Sequence, residues 1–435
     1  MFGLSEDFLR LEREGKPIRV AIIGVGQMGR SLVAQMVPMN GISPVVIIDH
    51  RAERVIAALS KVGVKESGYA LVTTAEQADA AVAQGKIAIA EDDRVATACG
   101  AVQVVIDATG ALADAARIAL DAFANKKHII MMTVETDVVV GPLLNRKAKE
   151  AGVIFTGMAG DEPGVIMELY DFAKTMGLEV LVLGKGKNNE VNYSANPDTA
   201  AAEAAGKEMN PRMLASFQDC TKTMVELAAV SNATGFLPDC IGAHGVTATA
   251  QTLASVYRLK EEGGVLNNYG VVDYVKGIAP GVFAVVTTKD EEIRKELAYL
   301  SMGDGPNYTF YRPYHLCSLE VPMTVGRLML YGKPSLVPMA GAPHAEVVAF
   351  AKRDLAAGEH LDGIGGYTVY GAIASAKKAA ELGALPVGLV NGNTVMKKAI
   401  KKGEIITYEH VKLDEASLLV KLRREQDKLM AEGVL

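Results

Sequence analysis

A short apolar run at 18–23 (IRVAII) ends directly in Gly24-Val25-Gly26-Gln27-Met28-Gly29, and an amphipathic stretch at 31–39 follows. A strand that stops in G-x-G-x-x-G and passes into a helix has few ways to fold. The first glycine permits the tight turn, the second lets a pyrophosphate approach the backbone, and the third lets the helix pack close to the strand. The helix start then offers free N–H groups and a positive dipole end to phosphate. Glycines also mark plain turns, but three further features agree with a dinucleotide. Asp49 closes the next apolar run, 44–48 (PVVII), where a ribose-binding carboxylate belongs. The run 102–106 (VQVVI) leads into Asp107-Ala108-Thr109-Gly110, and 128–132 (HIIMM) leads into Thr133-Val134-Glu135. The expected cofactor contacts are Gly24, Gly26, Gln27, Met28, Gly29, Asp49, Arg51, Thr109, Gly110 and Glu135. Asp49 favours the free 2′-hydroxyl of NAD. Arg51, with His50 and Arg54, suits the 2′-phosphate of NADP, and the residues leave both open.

These runs, separated by helical intervals, predict an α/β Rossmann domain over residues 1–151, with a doubly wound parallel sheet. Residues 152–344 mix strand patterns at 178–183 (LEVLVL) and 282–287 (VFAVVT) with one long helix predicted over 211–229, which suggests an α+β domain. Residues 345–435 contain two similar segments, 347–361 (VVAFAKRDLAAGEHL) and 395–407 (VMKKAIKKGEIIT). Their Gly358-Glu359 and Gly403-Glu404 predict tight turns between short strands, a β-rich pattern that resembles a SAF domain.

At 435 residues and 46.0 kDa the chain is long enough for two or three domains. Hydrophobic residues make up 49% and charged ones 22%, which excludes a disordered or fibrous chain. Basic residues number 45 against 51 acidic, so a nucleic-acid partner is not expected. Cys99, Cys220, Cys240 and Cys317 lie far apart without a CxxC, which points to a reducing compartment. The charged start has no apolar core of the kind a signal peptide needs, and no run is long enough for a membrane span. The expectation is a cytoplasmic protein acting on a small molecule, away from membranes.

The middle region collects cations. Lys185 and Lys187 alternate with glycine in 184–187 (GKGK), and they share one side if the strand continues. There they would hold an anionic or oxyanionic substrate, although a solvated turn fits the same spacing. Asp219, Lys222 and Glu226 recur at helical spacing on the predicted 211–229 helix, so Asp219 and Lys222 can share a face. A lysine beside a carboxylate can pass a proton to a carbonyl oxygen, or can be a surface ion pair. Tyr311-Arg312-Pro313-Tyr314-His315 supplies a guanidinium for phosphate or carboxylate and a titratable imidazole. No histidine spacing marks a metal site. Glu135, Asp137, Asp161 and Glu162 are the candidates for a hard divalent ion.

With these residues in view, the chain resembles the SAF-domain oxidoreductases related to homoserine dehydrogenase. Within that group it is similar to the second type of 1-deoxy-D-xylulose 5-phosphate reductoisomerase-like enzymes. The resemblance runs through the glycine loop, Val134-Glu135 with Asp137, Gly184-Lys185-Gly186, Asn196-Pro197-Asp198-Thr199, Thr221-Lys222, Asn232-Ala233-Thr234-Gly235, Tyr311-Arg312-Pro313 with His315, and Gly383-Ala384-Leu385-Pro386. It implies NAD(P)H-dependent reduction of a small, phosphorylated polyhydroxy carbonyl compound, with a lean to NADP. It also implies a middle domain for catalysis and dimerisation, a homodimer or higher oligomer, and room for magnesium or manganese. Carried over, Lys185, Lys187, Asp219, Lys222, Asn232, Arg312 and His315 would surround the substrate, with the nicotinamide facing them. Two alternatives stay open: a dehydrogenase of a polyol phosphate, sugar acid or homoserine-like compound, and a nucleotide-sensing protein without turnover.

Overall fold

The computed structural model describes residues 3–435; Met1 and Phe2 of the charged start lie outside the described residues. Two compact units divide the chain: Met1–Asp161 with Leu316–Ala340 and Glu425–Leu435, and Glu162–His315 with Gly341–Arg424.

Strands that are apolar on both faces must be covered by helices on both sides. In the first unit β1 (Ile18–Ile23), β2 (Ile42–Ile48), β4 (Ile87–Ala90), β5 (Val104–Asp107), β6 (His128–Met131) and β7 (Phe155–Gly157) meet that condition, while β3 (Tyr69–Leu71) is a partly exposed edge strand. All pair in parallel, in the order β3-β4-β2-β1-β5-β6-β7. The direction of winding reverses beside β1, the point where such sheets open a crevice at their carboxyl ends. The four apolar runs of the amino-terminal region all fall on strands of this Rossmann-like sheet, and β1 keeps its expected ends. Val20, Ile22, Leu32, Val33, Ile47, Leu59, Ile106 and Ile130 share one core with Val321, Val325 and Leu328.

The helix Val134–Ala151 contains Gly141-Pro142. Proline has no N–H and crowds the carbonyl four residues back. One residue on, the Leu143 N–H donates to Gln426 Oε1 at 3.2 Å, and Gln426 Nε2 donates to the Val139 carbonyl at 3.3 Å. The fully buried amide of Gln426 thus serves both ends of the helical step from Val139 to Leu143.

The second unit is built on β8 (Glu179–Lys187), β9 (Val246–Thr247), β10 (Val271–Lys276), β11 (Val282–Thr287) and β12 (Asn307–Arg312), ordered β12-β11-β8-β10-β9. β10 runs parallel to β8 and β9, whereas β11 runs antiparallel to β8 and β12. The strand expected at 178–183 continues through Lys187. The single helix expected over 211–229 is two, Pro211–Gln218 and Thr221–Thr234. The break falls at Asp219-Cys220, where Cys220 takes φ 74°. A buried ion pair fixes this break. Asp219, fully buried, meets Lys352 Nζ at 2.7 Å and accepts the Thr221 N–H at 2.9 Å. Asp219 and Lys222 therefore do not share the helix face that their spacing predicts.

The β-rich carboxyl-terminal region holds antiparallel β13 (Ala345–Ala351) and β14 (Val369–Ser375), and β15 (Val395–Met396) and β16 (Val411–Lys412). Its two similar segments pair with each other: Phe350 faces Ile405, Leu355 faces Ile400 and His360 faces Val395. Gly358 and Gly403 both take left-handed φ, 86° and 81°, as the expected turns require. In each turn the following glutamate accepts an N–H three residues back, Glu359 from Ala356 and Glu404 from Lys401, both at 2.9 Å. The region is tied to the helix Thr221–Thr234, because Asn232 Oδ1 accepts the N–H of His344 (2.8 Å) and of Ala345 (2.9 Å), and Thr221 Oγ1 accepts that of Gly371 (2.8 Å).

Removing one partner of a buried pair leaves the other charge unbalanced. Asp219→Ala should lower unfolding stability by roughly 3–5 kcal/mol. Adding Lys352→Met should restore much of that loss, both read from urea titrations.

Candidate active site

The glycine loop joins β1 to the helix Gln27–Met36. Gly24 takes φ 96°, and a Cβ there would meet the Ala108 carbonyl oxygen at 2.7 Å. A Cβ at Gly29 would strike the Gly24 carbonyl. These two glycines are therefore set by packing. A Cβ at Gly26 would meet nothing within 4 Å. Gly26 caps the helix without a side-chain bond, so no side chain satisfies the N–H groups of its first turn. That combination fits a dinucleotide pyrophosphate.

Asp49 is buried at the end of β2, accepting the Val25 N–H at 2.8 Å and the Arg51 N–H at 3.1 Å. Arg54 lies 3.7 Å from it, and the Arg51 side chain is exposed. The loops after β5 and β6 are held by a residue outside the expected contact set. Asp107, fully buried, accepts the hydroxyls of Thr109 and Thr133, both at 2.6 Å, and Gly110 N–H donates to Thr133 Oγ1 at 3.1 Å. Glu135 is buried in the first turn of the helix Val134–Ala151.

In the second unit the GKGK pattern has a structural reason. A Cβ on Gly184 would meet the Phe283 ring at 2.5 Å, and one on Gly186 would meet Ala279 N at 2.5 Å. The glycine side of β8 is pressed against its neighbours, so both lysines point to the opposite side. Lys185 is 5% exposed. Its Nζ donates to Glu162 Oε1 at 2.6 Å and to Glu226 Oε2. Glu162 opens the helix Glu162–Thr175, and Glu226 sits on the helix Thr221–Thr234, one turn after Lys222. His315 Nδ1 lies 3.4 Å from Glu162 Oε2. Arg312 Nη1 pairs with Glu168 Oε2 at 2.9 Å and lies 4.7 Å over the Tyr314 ring.

Burial draws the Lys185 ammonium down, but Glu162 and Glu226 outweigh it and hold it raised. Burial and the neighbouring Glu162 push Glu226 up, against Lys185 and Lys222. One ammonium thus serves two carboxylates, which keep the proton on Lys185.

The other expected residues have different partners. Lys187, lowered by burial, donates to the Phe217 carbonyl at 2.7 Å. Asp219 pairs with Lys352, and Asn232 holds the residues 344 and 345. The structure thus brings Lys185, Lys222 and His315 around Glu162 and Glu226, while Asp219 and Asn232 tie segments together. Glu226 was visible in sequence only as a helical spacing. Asp107 and Thr133 gave no signal beyond standing at the ends of apolar runs.

The sequence model of the oxidoreductase DRL catalytic domain matches residues 160–321, the stretch that carries this cluster. With the phosphate loop, that match decides the class. The chain is an NAD(P)-dependent oxidoreductase. No curated protein matches it. Among solved structures it is similar to a probable dehydrogenase from Thermotoga maritima, with 14% identity and TM-score 0.41, covering 74% of this chain and 91% of that one. Scyllo-inositol dehydrogenase from Lactobacillus casei, with bound NAD(H) and scyllo-inositol, gives 10% identity and TM-score 0.39 over 73% and 91%. A DOX-P reductoisomerase with fosmidomycin and magnesium gives 17% and 0.34 over 48% and 56%. At such scores these likenesses decide nothing about substrate. Among the described residues, no helix is long and apolar enough to cross a membrane.

Gly26→Asp puts a carboxylate where phosphate would lie, and should weaken NADPH and NADH binding roughly a hundredfold in a fluorescence titration. Asp137, in the helix Val134–Ala151, is pushed up to about 7 by burial. Its native form binds a proton more tightly than the unfolded chain, so its contribution to stability falls as pH rises from about 4 to 7. Asp137→Asn cannot ionise. It should gain on wild type across that window by on the order of 4 kcal/mol, with no gain below it, as read from unfolding curves at several pH values.

Proposed function

We propose that the protein reduces a small polyhydroxy carbonyl compound, the first unit holding the dinucleotide and the second the substrate. The observation that carries this reading is Lys185 Nζ, buried and held by Glu162 and Glu226 in the stretch matched by the oxidoreductase catalytic domain. A reduced nicotinamide, when bound, supplies the hydride.

A carbonyl oxygen gains negative charge as its carbon is reduced, and a fixed ammonium both stabilises that charge and gives up a proton. Lys185 suits this role because two carboxylates fix its position and one of them, Glu226, is disposed to carry a proton back to it. His315, beside Glu162, offers a route for that proton from outside the cluster. Lys222 and Arg312 add positive charge, which suits a phosphorylated substrate. The finer proposal, a reductoisomerase-like reaction on 1-deoxy-D-xylulose 5-phosphate with NADPH, draws on the sequence resemblance alone.

The test is reduced-nicotinamide consumption with 1-deoxy-D-xylulose 5-phosphate, polyol phosphates and sugar acids, each with and without magnesium or manganese. Lys185→Ala should lower kcat by about 10²–10⁴ while leaving the dinucleotide Kd unchanged. Full turnover in that variant removes the role from Lys185. A wild type that binds dinucleotide but consumes it with no carbonyl compound is a sensor.

A further inference from the structure

A carboxylate at the end of the second strand of a dinucleotide-binding sheet commonly receives a ribose 2′-hydroxyl. Asp49 has that place, yet both of its oxygens are engaged inside the chain. Oδ1 accepts the Arg51 N–H at 3.1 Å, which closes an Asx turn between β2 and the helix Ala52–Lys61. Oδ2 reaches across to the glycine loop and accepts the Val25 N–H at 2.8 Å. The neighbouring Gly24 N–H donates to the Ile48 carbonyl, also at 2.8 Å. Two successive N–H groups of the loop are thus held by the end of β2, and Gly26 with the helix behind it is placed by those two bonds.

The charges nearby point the same way. A carboxylate in this position excludes NADP by repelling its 2′-phosphate. Here Arg54 Nη1 lies 3.7 Å from Asp49 Oδ1 and offsets that repulsion. The Asp49 side chain is 7% exposed, whereas that of Arg54 is 48% exposed and that of Arg51 is exposed as well. Glu53 follows in sequence, and Glu91 accepts the Ala52 N–H at 3.2 Å. A phosphate contact here therefore rests on the planar guanidinium, which can bond two phosphate oxygens, rather than on net charge.

On the reading that the first unit holds a nicotinamide dinucleotide, we propose that Asp49 is a positioning residue of the glycine loop and not its ribose acceptor, and that Arg54 tells the two dinucleotides apart by taking the 2′-phosphate. Asp49 acts through Val25, keeping the loop in the shape that receives pyrophosphate, a group that NADH and NADPH share. Arg54 acts on the one group that they do not share.

The experiment titrates the full chain with NADH and NADPH in wild type, Asp49→Ala, Asp49→Asn and Arg54→Ala, read by nicotinamide fluorescence. Asp49→Ala should weaken both dinucleotides in step, by about tenfold. Asp49→Asn, whose amide oxygen can still accept the Val25 N–H, should recover most of that loss for both and keep the wild-type ratio between them. Arg54→Ala should weaken NADPH about tenfold and leave NADH unchanged. Loss of NADH affinity alone, or a gain for NADPH, in either Asp49 variant makes Asp49 the ribose acceptor and overturns the proposal. Full affinity for both in Asp49→Ala, or an unchanged ratio in Arg54→Ala, overturns it too. If Asp49→Ala does not fold, the ratios in the other two variants decide. A wild type that binds neither dinucleotide overturns the dinucleotide reading itself, and this proposal with it.

Discussion

One ammonium held between two carboxylates organises the second unit. Lys185 reaches Glu162 and Glu226 because β8 alternates lysine with glycine, and the glycine side lies too close to Phe283 and Ala279 for any side chain. The two helices that supply the carboxylates must then cover the lysine side. Burying a charge this deeply is unfavourable unless its partners come with it. The helices Glu162–Thr175 and Thr221–Thr234 are thus coupled to β8 by charge as well as by packing. The same arrangement that meets the structural cost holds a positive charge at one fixed point, which is what stabilises a developing oxyanion.

The first unit depends on a different economy, that of space. Gly24 and Gly29 are required by backbone atoms already in place, whereas Gly26 borders an opening. The three positions look alike in sequence, yet only one borders open space. Asp107 complements them from within. Its carboxylate holds Thr109 and Thr133, so the loops after β5 and β6 are shaped before any cofactor arrives. A loop fixed in advance loses less freedom on binding.

Much of the sheet was legible from sequence because a strand buried on both faces needs an unbroken apolar run, and such runs stand out. The glycine loop was legible for the same reason, as it directly follows one. The split at Asp219-Cys220 was not. Neither residue is a usual breaker, and the cause is Lys352, far along the chain. The lysine pair was visible as a pattern, but its partners were not, since Glu162 and Glu226 come from two separate helices. Asn232 and Asp219 illustrate the converse. Polar residues in a striking context can serve to join segments, and only contacts distinguish that from chemistry. Paired glycine–glutamate turns were readable in each segment, but not that the two segments would interlock.

Gln426 has a consequence for the order of assembly. Its amide serves a helix laid down nearly three hundred residues earlier. During synthesis, the stretch around Pro142 leaves the ribosome and waits while the whole second unit is made. Until Gln426 emerges, the Leu143 and Val139 groups that this side chain later takes over must be met by each other or by water. The amino-terminal unit therefore matures last, although it is translated first.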